Sequence, residues 1–321
     1  MAATRDDKET RAMEMMARAE AAKSKWTLWP SNSKYEEAAQ LYENASNLFR
    51  TAKQNNAAGK ALMAAAEMNL KCSNTFEAAN NYVKAANCFR KDSPAEAVSC
   101  LRVAIAHYTD TGKFSQAARH QQEVGEILES QLELDEAINA YETAAEYLEG
   151  NNNPSQAAKC LLKVASFSAQ LEKYDRAVEI FEQVGQLYLG INLLKWSAND
   201  LFLKAGLCHL ANGDLVGAKR AIQTYKEINP TFSSKRECKF LEELVKAVEE
   251  GHVDNYSKSC GQYDSMTPFD AWMTTILLRI KNKISIPAGI GLPAASSLGG
   301  GPSFGGMPSP ASAPPLPEDL S

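Results

Sequence analysis

Long apolar runs, catalytic signatures and paired cysteines are all missing from this 321-residue chain. No stretch reaches the roughly 18 apolar residues that a helix needs to cross a bilayer, so no membrane-spanning segment is expected. Seven cysteines (72, 88, 100, 160, 208, 238 and 260) include no CxxC pair and no metal-ligand spacing. Such a set predicts reduced, buried thiols within helices of an intracellular protein. Four histidines (107, 120, 209 and 252) lie far apart, and none belongs to an HExxH motif. Neither G-x-S-x-G nor a Walker motif is present, and the glycine run 299–301 lacks a following Gly-Lys-Ser/Thr. These absences predict a binding protein rather than an enzyme, with no cofactor and no metal. Bulk positive charge is missing too: the net charge is −5, so no nucleic-acid partner is expected. The N-terminus, MAATRDDKETRAMEMMARAEAA, reads as a charged helix rather than a signal peptide.

What the chain does have is a ladder. In residues 174–188, Ala177, Phe181, Val184 and Tyr188 fall at i, i+4, i+7 and i+11, one stripe of an α-helix. The same stripe recurs about every 20 residues, anchored at Ala38, Ala58, Ala78, Ala97, Ala117, Ala137, Ala157, Ala177, Ala198 and Ala218. Four positions after each anchor stand Tyr42, Leu62, Tyr82, Leu101, Gln121, Tyr141, Leu161, Phe181, Phe202 and Ile222, with Gln121 the polar intruder. Seven positions after it stand Ala, Val or, last, Tyr225. A period of that length leaves room for one helix of about four turns and a short loop, and two units make a hairpin of about 40 residues. Small anchors let helices approach, and the larger side chain one turn later fills the groove between them. One hairpin has too little core to stand alone, so stacking must supply stability. The ladder therefore predicts an all-α solenoid.

Taken in order, the chain divides into 1–33, 34–210, 211–286 and 287–321. The first part reads as a lone helix over 7–23, then a connection carrying Trp26, Leu28 and Trp29 beside Lys23 and Lys25. Pro30 breaks the helix, and Ser33 is placed to cap the next one. The tryptophans either fold back onto the first hairpin or sit at a membrane interface, where indoles and lysines are both favoured. The repeats follow, with turns at Asp92-Ser-Pro94, Asp110-Thr-Gly112, 150–154 and Asn212-Gly213-Asp214. Amphipathic helices over 236–250, 253–263 and 268–284, the last opening with Pro268, break the register and form a C-terminal helical bundle. Residues 287–321 are rich in Pro, Gly, Ala and Ser and hold no Lys or Arg, which reads as a flexible tail.

Function must lie on faces the ladder does not use. In alternate helices, positions two and six after the anchor share a face, and they bring Arg119, Lys159 and Lys163 into one local basic patch. It is either a solvated face without a partner or a dock for an acidic one.

Four stretches, 108–114 (YTDTGKF), 157–165 (AAKCLLKVA), 234–239 (SKRECK) and 272–281 (WMTTILLRIK), closely resemble the soluble NSF-attachment proteins of the alpha/beta branch, yeast-type members included. The resemblance covers roughly residues 10–286. It implies a twisted superhelical sheet of antiparallel helical hairpins, tetratricopeptide-like, with a C-terminal helical bundle. It also implies an adaptor: several copies coat the four-helix SNARE bundle, which includes a syntaxin-type subunit, and recruit the hexameric AAA ATPase NSF, which unwinds it. By the same resemblance, SNARE contacts fall on Lys113, Arg119, Lys159, Lys163 and Arg236, with apolar contacts from Leu193 and Trp196 beside Lys195. A further basic position of the family is Asn199 here, which implies a weaker contact there. Trp26, Leu28 and Trp29 stand for the family's membrane loop. ATPase-facing positions match Asp214, Glu249, Glu250 and the penultimate Leu320, while another acidic position is Lys246. A cytoplasmic, peripherally membrane-associated protein follows from the resemblance. The residues alone leave a generic peptide-binding scaffold or co-chaperone as the alternative.

Overall fold

The computed structural model describes residues 4–25 and 32–285, and every regular element among them is helical. The order is α1 (Arg5–Ser24), α2 (Ser33–Thr51), α3 (Asn55–Lys71), α4 (Thr75–Phe89), α5 (Pro94–Asp110), α6 (Phe114–Ser130) and α7 (Leu134–Gly150). There follow α8 (Pro154–Gln170), α9 (Tyr174–Leu189), α10 (Ala198–Asn212) and α11 (Leu215–Ile228). A 3₁₀ turn (Pro230–Ser234) then leads to α12 (Arg236–Glu250), α13 (Val253–Met266) and α14 (Ala271–Ser285). None of these helices is long and apolar enough to cross a membrane.

From α1 to α10 each helix packs against the one before and the one after. Every alanine anchor of the ladder is buried, as is every residue seven positions on. Of the larger side chains between them, only Gln121 and Leu161 are half-exposed. Glycines one turn further on admit those larger side chains from the next rung. A methyl at Gly125 would stand 2.9 Å from the Tyr141 ring, and one at Gly185 would stand 2.7 Å from Phe202.

Polar bridges skip one helix at a time. Arg102 pairs with Glu136 (2.9 Å, α5 to α7), Lys163 with Glu129 (2.8 Å, α8 to α6) and Arg176 with Glu142 (3.3 Å, α9 to α7). Even-numbered and odd-numbered helices thus lie in two layers.

One turn joins most of these helices. Lys53, Ser73, Gly112, Leu132, Asn152, Glu172, Gly213 and Gly251 are all left-handed, with φ between 55° and 82°. The next residue's N–H then reaches the carbonyl five back, as from Glu133 to Leu128 (3.0 Å) and from Lys173 to Ser168 (2.8 Å). This is the Schellman closure, and it satisfies carbonyls the helix leaves bare. Holding a side chain in that region costs about 1–2 kcal/mol, yet five of the eight positions are not glycine. The Cβ of an alanine at Gly112 would have nothing within 4 Å. Gly112→Ala should therefore cost about 1 kcal/mol from the backbone alone, seen as a melt lowered by about 2–4 °C. At Leu132, whose side chain is 81% exposed, replacement by Gly should raise the melt instead.

Several local expectations need correction. The first helix is not alone: Ala12, Ala19 and Ala22 are buried, and Tyr42 of α2 donates to Glu20 of α1. Asn32, not Ser33, takes the cap position of α2. Pro268 precedes the last helix, which is capped by Asp270 through its Oδ1 (Met273 N–H, 2.7 Å). Cys72 lies in the turn after α3 rather than inside a helix. Six thiols are buried and Cys260 is half-buried. Burial pushes Cys100 and Cys260 up to about 11 and Cys208 to about 12, so none is poised to react near neutrality.

After α10 the layers give way to a bundle. Two aromatic clusters fill it, Phe202–Tyr225–Phe232 and Phe240–Tyr263–Phe269. The last helix returns to the repeats. Trp272 Nε1 donates to the Ser166 carbonyl of α8 (3.0 Å), and its ring meets Phe181 of α9 edge-on at 5.7 Å. Arg279 donates to the carbonyls of Ala169 (2.9 Å) and Gln170 (2.8 Å) and to the Tyr174 hydroxyl (3.2 Å). Lys283 reaches the Ala211 carbonyl at the end of α10.

Candidate partner-binding surfaces

Lys159 and Lys163 stand one turn apart on α8 and line a groove against α6 of about 330 Å³, with Gln122, Glu126, Tyr141, Gln156 and Cys160. Arg119 lies one turn before Gln122 on α6 and is 77% exposed. Lys159 and Lys163 share that groove, Arg119 stands one turn from it, and acids are interleaved with them. Glu123 lies 3.5 Å from Arg119 Nε and 3.3 Å from His120 Nδ1. The hydrogen bond from His120 is the main reason the Glu123 carboxyl stays below the usual carboxylate range. His120 itself is buried and stacks on Tyr108 (5.5 Å between centroids), a packing role. Lys163 Nζ sits 2.8 and 3.0 Å from the two oxygens of Glu129. Lys159 has no ion pair among the described residues.

Lys113 lies outside the two helices that carry this group. It precedes α6 in the α5–α6 turn, where its ammonium lies 3.6 Å from the centre of the Phe76 ring. Phe76 and Phe114 are both exposed there, making a cation–aromatic edge.

A second surface forms around the short linker between α9 and α10. Leu193 is 91% exposed and Trp196 is 61% exposed, two large apolar side chains in water. Lys195 and Lys235 approach the Trp196 ring at 5.4 and 4.5 Å from its centre. Lys235 thereby joins this linker to the start of α12, where Arg236 pairs with Glu237 (2.9 Å) and stacks over Tyr263 (5.8 Å). The sequence reading missed Lys235, because its neighbour Trp196 lies 39 residues away in the chain. Asn199 is buried, donating to the Trp196 carbonyl (3.4 Å) and accepting from Asn229 (2.9 Å). It holds the linker from inside, and its burial leaves little of the side chain for an outside contact.

The acids expected to face the ATPase gather at one end of the α11–α12 pair. Asp214 caps α11 through Gly217 N–H (2.8 Å), and that bond, with His209 Nδ1 at 3.1 Å, holds its carboxyl below the usual range. Glu249 pairs with Lys219 of α11 (2.5 Å), and Glu250 stands 4.0 Å from Lys246. Trp26, Leu28, Trp29 and Leu320 lie outside the described residues. Beside the first three, Lys25 pairs with Glu37 (2.9 Å). Among the described residues no group of three or more His, Cys, Asp or Glu side chains is placed to hold a metal ion.

The family model "Soluble NSF attachment protein, SNAP" matches residues 10–285. The mouse alpha-soluble NSF attachment protein is 46% identical over 258 residues, 80% of this chain and 87% of its own length. The human protein of that name is 44% identical over 283 residues, 86% of this chain and 96% of its own. A probable vesicular-fusion protein sec17 homolog of Schizosaccharomyces pombe is 38% identical over 260 residues, 81% and 90% of the two chains. A match this long, through the α8 cations, the exposed linker and the last helix alike, leaves one assignment: the chain belongs to the soluble NSF attachment protein family.

Proposed function

We propose that this chain is a non-catalytic adaptor that binds assembled SNARE bundles and brings the ATPase NSF to them. The observation that carries the reading is the pairing of two unlike surfaces on one rigid frame. Arg119, Lys159 and Lys163 offer cations on α6 and α8, while Leu193 and Trp196 offer exposed apolar surface two rungs on, flanked by Lys195, Lys235 and Arg236. Several moderate ion pairs along a rigid face give steering and salt sensitivity, and an exposed Trp supplies a site for apolar burial. A SNARE bundle, with its acidic exterior and helical grooves, fits both. Lys113 at the neighbouring turn extends the same contact. Asp214, Glu249, Glu250 and Leu320 are assigned to the ATPase, and Trp26, Leu28 and Trp29 to the membrane, which makes the protein peripherally membrane-associated and cytoplasmic. Family membership favours this reading over a generic peptide-binding scaffold.

The test is a pull-down of NSF by assembled SNARE complex, with and without this protein. Capture of NSF only in its presence is expected, and capture independent of it would sink the adaptor reading. Trp196→Ala should weaken SNARE binding by about tenfold, the scale of an interface aromatic, measured by titration at fixed salt. Replacing Trp26 and Trp29 with Ser should slow disassembly on liposomes much more than in detergent, and equal slowing in both would remove the membrane role.

A further inference from the structure

The three cations of the α6–α8 face are not equivalent, and the difference lies in the acids around them. Arg119 is open to solvent and touches Glu123 only through Nε at 3.5 Å, so the rest of its guanidinium is available. Lys159 has no ion pair among the described residues. Lys163 alone is held by both oxygens of one carboxylate, at 2.8 and 3.0 Å from Glu129. That carboxylate is itself fixed, because the buried Tyr141 donates its hydroxyl to Glu129 Oε2 at 3.0 Å. For Glu129 to swing clear when a partner's acid arrives at Lys163, that hydrogen bond must break along with the ion pair. While both hold, two carboxylates share one ammonium, and like charges at contact distance oppose each other.

We infer that Glu129 is an affinity-setting residue of this face, a built-in acidic competitor that weakens docking of an acidic partner at Lys163. The inference rests on the reading of this face as the SNARE dock. Its physical consequence is an ion-pair exchange rather than a simple gain of pairs. Docking then yields less energy than the number of cations suggests, and the complex lets go more readily.

The experiment measures binding of the full-length protein to assembled SNARE complex at two salt concentrations. Glu129→Gln keeps the shape and an acceptor for Tyr141 while removing the charge. It should tighten binding about three- to fivefold, the scale of one exposed ion pair, and steepen the salt dependence. In a Lys163→Ala background the gain should differ in size from that in the parent protein, since the two residues act on the partner through one shared pair. Glu136→Gln makes the same change in net charge on α7, where Glu136 pairs with Arg102 in the other layer of helices, and it should leave affinity unchanged. Equal tightening by Glu136→Gln, or a gain of the same size with and without Lys163, would assign the effect to overall charge and overturn the inference. If Lys159→Ala weakens capture but Glu129→Gln does not strengthen it, the dock stands and the competitor falls. If Lys159→Ala leaves capture intact, the dock reading fails and the competitor fails with it. A melting curve for each variant separates these outcomes from loss of fold.

Discussion

Reversing Arg119 and Lys159 together to Glu should abolish capture of assembled SNARE complex and leave the melt of the protein where it was. Neither side chain supports the fold. Arg119 is 77% exposed with one loose contact, and Lys159 has no ion pair among the described residues. Each reversal replaces an attraction with a repulsion, and like charges brought together across an interface cost several kcal/mol. Two of them should lower affinity by about a hundredfold or more, since each 1.4 kcal/mol is tenfold. The loss should be greatest at low salt, where exposed charges act over longer distances. Sedimentation or pull-down against a titrated SNARE complex reads the affinity, and circular dichroism reads the melt. Capture at the level of the parent protein would move the dock off α6 and α8 altogether.

Phe181→Ala has the opposite character, because it touches no partner and should cost the most stability of any change considered. Phe181 is fully buried at the middle of its stripe, and its ring meets Trp272 edge-on at 5.7 Å. Removing a core phenylalanine costs about 3–5 kcal/mol, part for lost transfer from water and part for the cavity left behind. The stacked rungs cannot collapse into that cavity without moving Trp272, which is bound to the Ser166 carbonyl. A melt lowered by roughly 10 °C is expected for a chain of this length. SNARE capture should fall only modestly, since α9 spaces the α8 cations from Leu193 and Trp196 without supplying a contact. A loss below about 1 kcal/mol would mean that the site relaxes freely and that Phe181 is no keystone.

The ladder was legible because it is local: apolar residues at helical spacing report a buried stripe wherever they repeat. The left-handed turns at Lys53, Ser73, Leu132 and Glu172 were not, since no Gly or Pro marks them and the helix ends on either side impose the conformation. The pairing of α1 was hidden by its composition, because it packs through alanines that show little apolar contrast. On the candidate surfaces, the spacing rule placed Arg119, Lys159 and Lys163 together, yet it sampled two positions per helix and passed over Glu129, which lies on a later turn of α6. Lys113 shared their sign but belongs to a turn, where its neighbour is an aromatic ring from another hairpin. The contact of Lys235 with Trp196 and the return of α14 to α8 span long stretches of chain. Only folding shows them.

That return of α14 makes the two ends of the row unequal. A stack held only by neighbour contacts frays from its ends, each outer rung opening with half the contacts of an inner one. At the front, α1 is held mainly by α2, through its buried alanines and the bonds from Tyr42 to Glu20 and from Gln54 to Glu9 (3.2 Å). At the back, Trp272, Arg279 and Lys283 clasp the ends of α8 and α10 from across the bundle. Thermal opening should therefore start at the α1 end and run inward, reaching α8 and α10 late. The rungs that carry Lys159, Lys163 and Trp196 should then keep their spacing while the front of the row breathes, which would put the proposed grip and the flexing at opposite ends of one continuous stack.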